Sequence, residues 1–151
     1  MAKGIFALEA GDILSVYNRD FITDQVFKLG MGASAVVNYR LKDGMEVKWF
    51  AARSYGQQLM ILGDEVKLPV DQTGEKFDWE GQTYRQLGKT EGRAIGTSEM
   101  GYPRYVQMEC IDYVNEESTN YIFVQKSEDV VTAFSGEPVI GGAIMVFPKP
   151  K

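Results

Sequence analysis

Residues 46–66 read EVKWFAARSYGQQLMILGDEV, and residues 120–139 read NYIFVQKSEDVVTAFSGEPV. In each stretch apolar and polar residues alternate, a short polar interruption follows, and a second apolar run closes the segment. A constant offset lays the first on the second: Phe50 on Phe123, Ser54 on Ser127, Gly63 on Gly136 and Val66 on Val139. Arg53 then meets Lys126, and Asp64 meets Glu137. Alternation with period two is the mark of a half-buried strand. Each stretch therefore reads as a hairpin, and the correspondence reads as one unit used twice.

The same period extends outward in both directions. Residues 12–17, 21–29 and 34–42 read as three strands before the hairpin. Asp43-Gly44 predicts a tight turn with positive φ at both positions. Strand 46–55 would carry Val47, Trp49, Ala51 and Tyr55 on one face, with Lys48 and Ser54 on the other. Gly56-Gln57 turns the chain into strand 58–66. Residues 67–76, with Pro69 and Gly74, lose the alternation and predict a linker. The pattern restarts with two short strands over 77–89 joined at Glu80-Gly81, and residues 93–96 extend that sheet. Strands follow at 105–114, 121–126, 130–134 and 143–147, with the turns NEEST (115–119) and Glu128-Asp129 between them. No stretch of eleven or more residues keeps a capped helical stripe. The expected fold is all-β: one antiparallel sandwich or barrel over residues 1–151, with pseudo-repeated halves 8–66 and 77–147.

The chain has 151 residues, enough to bury a core without staples. Its net charge of −5 disfavours nucleic acid, whose binders present a basic stripe or patch. The single cysteine, Cys110, carries no sign of an oxidising compartment. The start MAKGIFALEAGD has no signal-peptide pattern, and no apolar run reaches the ~20 residues of a membrane span. A cytoplasmic protein without a transmembrane segment is expected.

The chain contains no histidine, which removes the Ser-His-Asp and Cys-His templates. Cys110, on one strand face with Met108, reads as a buried structural thiol, and a zinc site is not expected. Asp112, Glu116 and Glu117 around one turn, and Asp64-Glu65, read as solvated turn residues. DYVNEES lacks the spacing of a calcium loop. GMGAS (30–34) begins Gly-x-Gly but lacks the rest of a dinucleotide fingerprint, so it reads as a turn. No catalytic residue, metal or cofactor is expected.

Adjacent Trp49 and Phe50 must point to opposite strand faces, so one can be core while the other meets a second layer, a partner or a cavity. The segment RAIGTSEMGYPRY (93–105) sets Arg93, Tyr102, Arg104 and Tyr105 among glycines, a mixture suited to protein contact.

Several segments together resemble a bacterial family known as domain of unknown function 4178. They are LEAGDIL (8–14), YRLKDGMEVKWF (39–50), WEGQTYRQLGKTEGRAIG (79–96), YVQMECIDY (105–113) and GEPVIGGAIMVFP (136–148). The pair Trp49-Phe50 stands where that family tends to have Trp-Leu. The resemblance implies a compact β-rich domain without established enzymatic activity. It implies an accessory role beside membrane or polyamine-related proteins, with peripheral association to a membrane-protein complex. Some members carry an N-terminal zinc ribbon, for which this chain lacks the cysteines.

The leading expectation is a non-enzymatic accessory domain that binds another protein through Arg93, Tyr102, Arg104, Tyr105 and Phe50. The alternative is a small-molecule or lipid carrier with an apolar barrel interior, which seven methionines and 12% aromatic residues would suit.

Overall fold

Among the described residues eleven strands, all paired antiparallel, form one sheet that closes on itself. The computed structural model describes residues 4–29, 35–54, 58–68, 74–98, 101, 103–127 and 130–149. In chain order the strands are β1 (Ile13–Val16), β2 (Arg19–Leu29), β3 (Val36–Asp43), β4 (Glu46–Ser54), β5 (Gln58–Val66) and β6 (Lys76–Trp79). Then come β7 (Gln82–Ser98), β8 (Arg104–Asn115), β9 (Tyr121–Ser127), β10 (Val130–Pro138) and β11 (Ile144–Phe147). β2–β5 form one meander and β7–β10 another. Pairing of β5 with β10 and of β2 with β7 closes these eight strands into a barrel. The remaining strands, β1, β6 and β11, lie outside it.

The same strand path occurs twice, β1–β5 and then β6–β10. Both copies open with a two-residue turn at positive φ, Tyr17-Asn18 in the first and Glu80-Gly81 in the second. Both then carry an irregularity in the long strand that follows, at Thr23/Gln25 and at Gln86/Gly88. The copies meet at Gly63 and Gly136, which are direct partners across β5 and β10. A Cβ on Gly63 would lie 2.3 Å from the Ser135 carbonyl oxygen, and one on Gly136 would lie 2.2 Å from that of Leu62. The bare backbone at these two positions is what lets the strands approach.

The single offset is corrected for the neighbouring pair of strands. Phe50 packs with Val37, Tyr39 and Leu41 on the outer side of the wall. Phe123 packs with Trp49, Ala51 and Phe134 inside the barrel. The Phe50–Phe123 correspondence is therefore slipped by one residue, which reverses the face. The hairpin after β3 is also displaced. Asp43 pairs with Glu46, so Gly44 and Met45 are central, and only Gly44 has positive φ. That geometry is the one with glycine at the first central position.

β7 runs unbroken for seventeen residues, where the sequence predicted a short strand and a separate 93–96 piece. Register with β8 pairs Gly88 with Asp112, Thr90 with Cys110, Gly92 with Met108 and Ala94 with Val106, all on the inner face. Lys89, Glu91, Arg93 and Ile95 point outward. The alternation sets small residues against mostly charged ones, and a search for large apolar residues on the inner face passes over it. The small inner residues make room for Leu29 and Phe27 of β2.

Three apolar layers result. Inside lies a row of rings: Phe27 on Trp49 (6.2 Å between centroids), Trp49 on Phe134 (5.3 Å) and Phe134 on Phe123 (5.2 Å). Outside the first meander, Leu8, Leu14, Val16 and Phe21 cover Val37, Tyr39, Leu41 and Phe50. Outside the second, Phe77 of β6 packs on Tyr84, Ile111, Tyr113, Ile122 and Val124. Leu68, from the predicted linker, joins that cluster; residues 69–73 of the linker lie outside the described residues.

Candidate functional site

The barrel interior holds the row of rings, and it is not purely apolar. Arg53 of β4 forks onto Asp112 of β8, with Nε 2.8 Å from one carboxylate oxygen and Nη2 3.2 Å from the other. Its guanidinium also lies 4.8 Å from the centroid of the Phe123 ring and donates to the Val37 carbonyl. Beside it Asn38 donates to Gln125 across the barrel at 2.7 Å. Arg53 is 0% and Asp112 1% exposed. A charge buried this deeply is tolerated because it is paired and hydrogen-bonded.

Asp112 is thus a core residue, a correction to its reading as a solvated turn acid. The signal was present in the alternation. Arg53 is in phase with Trp49 and Ala51, and Asp112 with Met108 and Cys110, so opposite charges fall on two apolar faces. Cys110 is buried beside them, and burial pushes its thiol up to about 12, with the Arg53 charge pulling the other way. A thiol held protonated is not a nucleophile at neutral pH. Among the described residues no group of three His, Cys, Asp or Glu side chains is placed to hold a metal ion.

The residues singled out in 93–105 split between the two faces of the β7–β8 hairpin. Arg93 points outward, its guanidinium 4.7 Å from the centroid of the Tyr105 ring. Tyr105 is 61% exposed, and its register partner Ile95 is 39% exposed. These three form a ledge on the barrel's outer wall, beyond the reach of β6. Arg104, one residue from Tyr105, falls on the inner face opposite Gly96. Tyr102 lies outside the described residues, as do Tyr55, the stretch 30–34 and the turns 56–57 and 128–129. Phe50 is the clear correction: at 0% exposure under the first outer layer, it cannot meet a partner.

Arg104 belongs to a cavity of about 590 Å³ at the mouth of the barrel. Phe27, Gly96, Val106 and Val130 supply its apolar lining, and Gln25, Thr97, Ser98 and Ser127 its polar lining. Sequence reasoning found Arg104 but missed Gln25, Phe27 and Ser127. Gln25 and Phe27 reach it because β2 pairs with β7, and Ser127 because β9 pairs with β8, contacts between segments that no local pattern announces.

The structure defines this protein as a closed eight-stranded antiparallel barrel assembled from two copies of one meander, with a polar tie inside and an open mouth. Among its described residues no helix is long and apolar enough to cross a membrane, a statement that concerns helices alone. Comparison with family models matches residues 9–141 to the family described as Domain of unknown function (DUF4178). The chain belongs to that family. No curated protein and no solved structure matches it.

Proposed function

We propose that this domain is a non-enzymatic accessory module that binds another protein through the outer face of the β7–β8 hairpin. The observation that carries the reading is the Arg93–Tyr105 stack beside Ile95, an exposed cation, aromatic and aliphatic group held on a rigid strand pair. Tyr and Arg are the side chains most enriched where binding energy concentrates. Two flat strands position them without the ordering cost of a flexible loop. A cytoplasmic setting, with peripheral attachment to a membrane-protein complex, is part of the same reading.

The test is capture from the native host with the wild-type chain, Arg93→Glu and Tyr105→Ala. Both residues are exposed, so melting temperatures should stay near that of the wild type while the captured partner is lost. Undiminished capture by both variants would remove the ledge as the binding surface.

A second reading is favoured by one feature, the mouth cavity, whose volume falls within the usual range of about 300–1,000 Å³ for ligand sites. It places a small molecule at the rim rather than in an apolar interior, since the interior is occupied by the ring row and the Arg53–Asp112 pair.

A further inference from the structure

We infer that the barrel interior carries a pairing code: the inner face of each copy accepts the other copy and rejects its own kind. The inference concerns the lumen alone and is independent of the ledge on the outer wall.

Register supplies the equivalence of positions. Gly63 faces Trp49 in the first copy, and Gly136 faces Tyr121 in the second. Counting along β4 and β9 from these two residues brings Ala51 onto Phe123 and Arg53 onto Gln125. Asn38 is the partner of Ala51, and Asp112 is the partner of Phe123, so Asn38 and Asp112 are equivalent as well. The neighbouring tyrosines agree with this alignment on the outer face. Tyr39 donates to the Ile5 carbonyl at 2.7 Å and Tyr113 to the Gly74 carbonyl at 3.0 Å, each tethering the segment that leads into its own copy.

Across the lumen, Arg53 of the first copy meets Asp112 of the second, and Gln125 of the second meets Asn38 of the first. The two contacts are therefore one tie made twice, exchanged by the pseudo-twofold relation between the copies. One is ionic and two-pronged, with two Arg53 nitrogens on the carboxylate. The other is neutral and single, and it leaves the buried Asn38 Oδ1 without a hydrogen-bond partner. This difference in charge decides which halves combine. Two first copies would set Arg53 against Asn38 twice, burying two guanidinium groups with no carboxylate at either tie. Two second copies would set Gln125 against Asp112 twice, burying two carboxylates with no cation at either tie. Only one copy of each kind gives a paired charge, and a buried charge without its partner is strongly destabilising.

The experiment uses the full chain and moves the charge. Gln125→Arg alone puts a second cation in the lumen opposite Asn38, and Asn38→Asp alone puts a second carboxylate opposite Gln125. Each should lower the denaturation midpoint to about two thirds of the wild-type value. Together they rebuild the ionic tie at the other equivalent position and should restore most of that loss. Adding Arg53→Gln and Asp112→Asn to the pair leaves the same four side chains in exchanged copies. This exchanged chain should fold with a midpoint above that of either single variant. If neither single variant folds, folding of the pair is the supporting result. Unchanged midpoints in both single variants, a pair no more stable than its weaker member, or an exchanged chain that does not fold would overturn the code.

Discussion

The two meanders share a path but not a covering. In the first, the outward residues Val26, Val37, Tyr39, Leu41, Phe50 and Ala52 are all buried. The N-terminal segment, β1 and β11 lie over them, with Leu8, Leu14, Val16, Ile144 and Val146 filling the gap. In the second, β6 covers Tyr84, Ile111, Tyr113, Ile122 and Val124. It is only four residues long and pairs with β7 over Gln82–Arg85 alone, while β7 runs on to Ser98 beside β8, and there Arg93, Ile95, Tyr105 and Gln107 remain exposed. One architecture has thus been closed on one side and left partly bare on the other. The bare strip differs from ordinary exposed sheet in carrying a ring and an aliphatic group as one register pair, Tyr105 and Ile95, with the Arg93 cation stacked diagonally on the ring. That asymmetry is the physical reason for placing the binding surface there.

The comparison can be broken most severely at the interior that both halves share. Asp112→Ala leaves the Arg53 guanidinium buried without its main counter-charge, and should cost about 3–5 kcal/mol of unfolding free energy in denaturant titration. A loss below about 1 kcal/mol would mean that solvent reaches Arg53 and that the interior is not closed. Next is the covered wall: Phe50→Ala removes a ring from the first outer layer and should cost about 3–5 kcal/mol, with the lower end reached if Leu8 and Leu14 settle inward.

Alkaline pH should also act on the covered half. Burial holds the Tyr39 phenol above its ordinary value of 10.0, while its hydroxyl donates to the Ile5 carbonyl at 2.7 Å. Because the folded pKa is raised, the unfolded chain releases this proton first. Stability is full below the ordinary value and declines as pH climbs above it. Cys110, raised from 9.0 to about 12, has the same sign and starts earlier. The denaturation midpoint should therefore fall between pH 9 and pH 11, and Tyr39→Phe with Cys110→Ala should flatten that fall. The smallest effect belongs to the bare strip: Tyr105→Ala should change stability by no more than about 0.5 kcal/mol.

Most of the barrel could be read from the chain before its structure. Period-two alternation located every described strand but β7 to within a few residues, and the Gly63–Gly136 correspondence marked where the copies touch. What escaped had specific physical causes. β7 alternates Gly88, Thr90, Gly92, Ala94 and Gly96 against Lys89, Glu91, Arg93 and Ile95, a pattern whose buried face has no large apolar residue to announce a strand. The face of Phe50 was lost to a one-residue slip, because β4 is buried on both sides and apolar content alone cannot tell inside from outside. The site was half legible. Arg93, Arg104 and Tyr105 were found together, but their division between two faces follows from parity along β7 and β8. The cavity needed the β2–β7 closure, which joins residues too distant in sequence for any local signal.

Hydrogen–deuterium exchange of the chain alone and in complex with the partner it captures tests the central claim most directly. The account predicts new protection in peptides covering 91–98 and 103–109, with little change over 13–16 and 144–147. Protection concentrated on β1 and β11, with the β7–β8 strip unchanged, would contradict it.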